Sequence, residues 1–186
     1  MAFMKPILYF LRSSEQRIAT DMLHYALRLD EVNKTLEDFP QLKIYEKNYG
    51  VYHSDLGLYA LVEHTIAGAI WLRKLGKEHN LNGFVNEDTP ILSIAIKPEF
   101  RGQGIGSAML EQLLIEAGAV FEQISVSVLN QTKTIEFFEK VGFTKVDNSD
   151  TKSPVDEADT ITMIKKLDVK EIVRPSDGYD PRRWMD

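Results

Sequence analysis

The sequence predicts an α/β fold, with a mixed central β-sheet flanked by helices on both faces. Three observations predict it. Strand-like apolar runs alternate with helical ones along most of the chain. The run Ile91–Ile96 is too continuously apolar for an edge and reads as a central strand. A glycine-rich turn then leads into a helix and a further strand at 123–129, which implies a right-handed crossover between parallel strands.

Each element follows from local pattern. Ile7–Leu11 is a short apolar run that reads as an edge or first strand. Ser13 and Gln16 have capping-box spacing, and Ile18, Met22, Tyr25 and Leu29 recur at helical spacing, so a helix is expected over 14–31. A second helical stretch over 35–48 is interrupted by Pro40 and closes near Gly50. Gly57–Glu63 and Gly68–Arg73 form a hairpin around residues 64–67. The polar segment 74–89 reads as a long loop, a candidate lid for an acceptor site.

Beyond the strand at 91–96, Ile105, Met109, Leu110, Leu113, Leu114 and Ala117 cover one broad helical face that Gly118 ends. Ile124, Val126 and Val128 alternate with Ser125 and Ser127, a strand with two unlike faces. A short helix over 132–141 turns Ile135 and Phe138 inward, and Gly142 takes its left-handed C-terminal position. Residues 143–146 and 160–165 complete the strands, with a polar surface loop over 147–159.

Composition bounds the function. A chain of 186 residues suits one domain, expected over 1–167. The tail 168–186 is expected to pack on that domain or at an oligomer interface, through Ile172, Tyr179 and Trp184. The formal net charge of -6 argues against a general nucleic-acid binder. With no cysteine there is no thiolate nucleophile or thiolate metal site, and the scattered His24, His53 and His64 suggest no metal centre. No run reaches the roughly 18 apolar residues of a membrane span and no signal peptide opens the chain, so a cytoplasmic, membrane-free protein is expected.

The strongest chemical signal is Arg101-Gly102-Gln103-Gly104-Ile105-Gly106-Ser107. Glycines at alternate positions let the backbone turn tightly and leave its amides uncovered. They open a helix whose first amides are unpaired and whose dipole favours anions, so the loop suits a pyrophosphate. Arg101 adds a charge-assisted contact and Ser107 a hydrogen bond. The dinucleotide pattern Gly-x-Gly-x-x-Gly fails because Ser107 stands three residues after Gly104, and the Gly-Lys-Ser/Thr of a nucleotide P-loop is missing.

This segment resembles the signature of the GNAT family of N-acetyltransferases, Arg/Gln-x-x-Gly-x-Gly/Ala, through Arg101, Gly104 and Gly106. A second block agrees: Asn130, then Ile135-Glu136-Phe137-Phe138-Glu139-Lys140-Val141-Gly142-Phe143, is similar to the family's element ending Tyr-Glu-Lys-Leu-Gly-Phe. The resemblance covers about 5–167 and is densest over 88–146. It implies a GNAT-like acyl-CoA N-acyltransferase fold in which the strands at 91–96 and 123–129 splay into a wedge. Acetyl-CoA, the implied cosubstrate, would enter there along Ile94, Ala95 and Ile96. Its pyrophosphate would rest on the amides of Gly102, Gln103, Gly104, Ile105, Gly106 and Ser107, with Asn130 or Gln131 near the pantetheine arm and Phe138 packed against the wedge.

The implied activity is direct acetyl transfer to an amine of a small molecule or peptide, with positioning carrying much of the rate. The Ile96 amide, or one beside it, would polarise the thioester carbonyl. Phe138 stands where the family's tyrosine protonates the departing thiolate, and a phenyl ring cannot. Tyr9, Tyr25, Tyr45, Tyr49, Tyr52, Tyr59 or water would have to replace it. Candidate bases are Glu63 on the hairpin, Glu87 and Asp88 before the strand, and Glu78 or His79 in the long loop. The alternative reading is a non-catalytic, regulatory acyl-CoA-binding domain, and a homodimer through the aromatic tail is also open.

Overall fold

The computed structural model describes residues 5–168. Within these described residues, eight strands form one sheet in the order β1-β2-β3-β4-β5-β8-β6, with β7 paired to β8. They are β1 (Ile7–Phe10), β2 (Leu56–Val62), β3 (Thr65–Arg73), β4 (Ile91–Ile96), β5 (Gln123–Leu129), β6 (Thr144–Lys145), β7 (Thr151–Lys152) and β8 (Asp159–Lys166). Four helices accompany them: α1 (Gln16–Ala26), α2 (Leu29–Val32), α3 (Ile105–Ala117) and α4 (Thr132–Glu139). All pairings are antiparallel except β4 with β5, so the sheet is mixed as expected. Among the described residues no helix is long and apolar enough to cross a membrane.

Strand alternation sorts the core into two layers. Even residues of β3 and β4, Ile70, Leu72 and Leu92, bury against Met109, Leu110 and Leu113 of α3. Odd residues Ala69, Trp71 and Ala95 face the other way and pack on Ala19, Met22 and Leu23 of α1. Helices therefore cover both faces. The Gly118 end of α3 and the positive φ of Gly142 after α4 match the sequence expectation.

The helical arm departs from it. The helix expected over 14–31 breaks at Arg28, whose φ of 57° lies in the left-handed region. The Ser13–Gln16 capping box does not form: the Arg12 amide donates to Glu15 Oε2 at 2.8 Å, and Gln16 reaches the Glu46 carbonyl. The helix expected over 35–48 is two 3-10 turns, Leu36–Asp38 and Pro40–Tyr45. Pro40 has no amide to donate, and contacts from β3 hold the segment instead of a helical ladder. Trp71 Nε1 donates to the Tyr45 carbonyl at 2.9 Å. Arg73 Nη1 donates to the carbonyls of Ile44 and Lys47 at 3.0 and 2.7 Å.

The hairpin turn is tighter than expected: Glu63 and His64 alone form it, with φ of 46° and 68°. The loop 147–159 is not merely a polar surface segment. It contains β7 and buries Val155 beside Leu29 and Leu42, and Asp156 Oδ2 lies 2.9 Å from Arg28 Nη1. The tail beyond residue 168 lies outside the described residues, so its packing expectation has no structural counterpart.

Arg73 holds the arm through a buried ion pair. Its Nε lies 3.0 Å from Asp55 Oδ1, with the two side chains only 4% and 2% exposed. Removing one partner of such a pair strands the other charge away from water. Asp55→Ala is expected to lower stability by about 3–5 kcal/mol, measured by denaturant unfolding followed by circular dichroism. A loss under about 1 kcal/mol would mean that the backbone carbonyls alone satisfy Arg73.

Candidate functional site

The site begins where β4 and β5 part. Their only paired residues are Ile91 and Ser125, closed by a 3.0 Å bond from the Ser125 amide to the Pro90 carbonyl. On the other side β4 is fully paired to β3, and the Lys97 amide bonds the Ala67 carbonyl at 2.9 Å. Hydrogen-bonding direction alternates along an antiparallel strand, so Ala95 and Ser93 point their amides to β3. Those of Ile94 and Ile96 point into the gap. The Ile96 carbonyl receives Arg101 Nε at 3.1 Å.

At the open end the chain turns through the glycine loop into α3. Gly102 and Gly104 have φ of 75° and 79°, a conformation costly for other residues, and a side chain on either would project into empty space. Among the described residues, no backbone acceptor takes the amides of Gly102, Gln103, Gly104, Ile105, Gly106 or Ser107. The first turn of a 13-residue helix thus presents bare donors beside the gap.

Gap and loop open into a cavity of about 1260 Å³. One side is formed by Ile94, Ile96, Phe137, Phe138 and the glycine loop. The other is formed by α1, the 3-10 arm at Gln41, Leu42 and Tyr45, the loop at 79–82 and the segment 152–155. The long loop expected to act as a lid is therefore part of the wall. Gly83 anchors it at the narrow end, where an added Cβ would stand 3.1 Å from the Ser127 amide. Asn82 Nδ2 ties it to the Lys152 carbonyl at 2.9 Å.

The structure sorts the sequence candidates. Ile94, Ala95, Ile96, Arg101, Gly102, Gly104, Ile105, Gly106, Ser107 and Phe138 all line the cavity. Ala95 does so without a backbone donor for it, because its amide is turned to β3. Gln103 lies outside and donates to the Glu99 carbonyl. Asn130 and Gln131 are exposed beyond the end of β5, and the Asn130 amide is taken by the Asp159 carbonyl at 2.8 Å.

Of the candidate bases, Glu63 and Asp88 do not reach the cavity. Glu63 is exposed at the tip of the β2–β3 turn, carried away by its left-handed backbone. The Asp88 side chain is 97% exposed and faces Lys74 Nζ at 3.8 Å. Glu78 and Glu87 also lie outside the lining, whereas His79 is within it. Of the tyrosines, Tyr25 and Tyr45 line the cavity. Tyr49 is buried in the α1-side core and donates to the Leu11 carbonyl at 3.2 Å, and Tyr52 is exposed.

Several lining residues went unread in the sequence: Glu31, Ser127, Lys133, Phe137 and Lys152. Lys133 and Phe137 sit within the second motif block, and only the helix phase shows which of Phe137 and Phe138 is deeper. Phe138 is 4% exposed and packs edge-on to Phe143, while Phe137 is partly exposed beneath Gly106. Arg101 is not free. Its guanidinium lies 3.6 Å from both Asp30 and Glu31 of α2.

A sheet parted between two parallel strands, with bare helix-start amides at the mouth, defines the acyl-CoA N-acyltransferase class of fold. The chain belongs to the GNAT acetyltransferase family: residues 54–145 match its acetyltransferase (GNAT) domain. Known structures share the architecture at low identity. A GNAT phosphinothricin acetyltransferase from Sinorhizobium meliloti, in complex with AcCoA, is 19% identical, with TM-score 0.63 over 94% of this chain and 95% of that one. The yncA protein of Salmonella typhimurium, with its cofactor acetyl-CoA, is 16% identical, with TM-score 0.64 over 94% and 99%. The ribosomal-protein-S18-alanine N-acetyltransferase of Escherichia coli is 16% identical, with TM-score 0.62 over 91% and 99%. No curated protein matches the chain in sequence.

Burial pushes the Tyr45 hydroxyl up to about 12 from 10.0, and its Oη lies 3.5 Å from the Asn82 carbonyl. It thus stays a proton donor through the neutral range. The unfolded chain releases this proton first, so the stability contribution is whole below about pH 10 and is lost as pH rises through about 12. Near-ultraviolet titration of Tyr45→Phe is expected to lack one late-ionising phenol present in the parent. An unchanged late phase would place Tyr45 in contact with bulk water.

Proposed function

We propose that this chain is an acetyl-CoA-dependent N-acetyltransferase, acting by direct transfer to an amine. The observation that carries the reading is the continuity of unpaired main-chain donors, from the β4 side of the gap to the first turn of α3. Acetyl-CoA suits this surface: its pantetheine amides match the edge at Ile94 and Ile96, and its pyrophosphate matches the glycine-loop amides. Lys133 adds positive charge at the mouth, and the Arg101 guanidinium stands there shared with Asp30 and Glu31. The open space at Gly102 and Gly104 leaves the loop backbone accessible to phosphate oxygens.

Bound acetyl-CoA supplies an activated acetyl thioester, and the protein's part is to place it. The amide of Ile96, or of Ile94, donates to the carbonyl oxygen as charge develops there. Phe138 contributes packing only. Tyr25 and Tyr45 are the described tyrosines lining the cavity, and either can return a proton to the departing thiolate, directly or through water. With Glu63 and Asp88 outside the cavity, the amine arrives largely neutral or loses its proton to His79, the one candidate base in the lining, or to water. We also propose one domain over 1–167.

Phe138 favours a second reading, a non-catalytic domain that holds acyl-CoA as a regulatory ligand. Release of free thiol with any amine separates the two, since turnover rejects a purely binding role.

Titration calorimetry tests the binding step. The parent protein is expected to bind acetyl-CoA saturably in the micromolar range, which corresponds to about -8 kcal/mol. Gly104→Trp should weaken binding at least about tenfold, or ~1.4 kcal/mol, while circular dichroism stays unchanged. Equal affinity in that variant would take the loop out of the site.

A further inference from the structure

The side chains that line the cavity carry a statement about the amine. Among the described residues, Glu31 is the one carboxylate in the lining, and its oxygens are already shared between Arg101 at 3.6 Å and Arg28 at 3.9 Å. The other permanent charges there are positive: Arg28, Arg101, Lys133 and Lys152. Asp30, Asp156 and Asp159, which pair with Arg101, Arg28 and Lys152, stand outside the wall, so among the described residues Lys133 is the one cation of the lining with no carboxylate partner. Between these cations lie the apolar and aromatic Leu23, Tyr25, Leu42, Tyr45, Leu81 and Val155, with the polar Gln41, His79, Asn80 and Asn82 beside them.

Such a wall discriminates by solvation. A polyamine or aminoglycoside would bring several ammonium groups out of water with no free carboxylate to receive them, a cost that the cavity does not offset. A single amine on an apolar body places that body against the leucines and tyrosines and gains from its burial. Desolvation lowers the pKa of its nitrogen. An α-amine, with an ordinary pKa of about 8, then becomes the neutral nucleophile without a carboxylate base, whereas a lysine-like amine near 10.4 has much further to go.

Resting on the acetyltransferase reading above, we propose that the acceptor is a weakly basic monoamine with a large apolar body, of the α-amine type. The transfer balances simply. The neutral nitrogen forms the new bond to the acetyl carbon, the carbon–sulfur bond breaks, and the proton lost by nitrogen ends on the departing thiolate.

The test uses the full chain with acetyl-CoA, comparing phenylalaninamide with spermidine by thiol release and by calorimetry on the CoA-loaded protein. Phenylalaninamide is expected to show a kcat/KM at least tenfold above that of spermidine and to bind where spermidine does not. Equal or better use of spermidine overturns the proposal, and so does failure of both amines on a protein that binds acetyl-CoA. Failure to bind acetyl-CoA is a different outcome, which removes the acetyltransferase reading and this inference with it. Leu81→Glu adds a carboxylate to the wall from a partly exposed loop position. It should reduce the preference for phenylalaninamide at least about fivefold, and an unchanged ratio would overturn the charge argument.

Discussion

The structure turns on one hydrogen-bonded pair that is made and the next that is not. β4 and β5 meet at Ile91 and Ser125 and then separate. Beyond that point each strand keeps its other neighbour, β3 or β8, so the sheet stays continuous through the closed end. Main-chain donors inside a protein need partners, and a parallel pair left open is therefore a standing demand for a ligand or water. The glycine loop extends that demand outward, because its amides start α3 and have no turn before them to bond.

The opposite wall depends on β3. Trp71 and Arg73 are two residues apart and share the face that looks toward α1, so their polar ends both reach the 3-10 arm. This holds Tyr45 at the cavity, Tyr45 approaches the Asn82 carbonyl, and Asn82 holds the segment before Val155. Three segments distant in sequence thus close one wall through carbonyl contacts rather than through regular structure. Arg28 and Asp156 tie the same wall to α2.

Much of this was legible because period and composition report local geometry. The strand at 123–129 has its expected bounds, the α3 face is the expected one, and Arg101, Gly104 and Gly106 sit at the mouth of the cavity. The misreadings have a common cause. Residues 35–48 hold apolar side chains at helix-like spacing, yet the contacts that decide their path come from Trp71 and Arg73, roughly thirty residues away. Glu63 and Asp88 were credible bases by proximity to strands in the sequence. Left-handed backbone in a turn carries one away, and the other stands at the solvent edge.

Sequence alone determined the kind of fold and the glycine-rich turn that opens α3, since both follow from interactions between neighbours along the chain: alternation, helix periodicity and the backbone freedom of glycine. Tertiary structure alone decided which groups face one another across the cavity. That Glu31 is already engaged by two arginines, that Phe138 is deeper than Phe137, and that Lys152 and Tyr45 share a wall are consequences of packing between distant segments. No local pattern encodes such meetings, because their energy exists only once the chain has closed on itself.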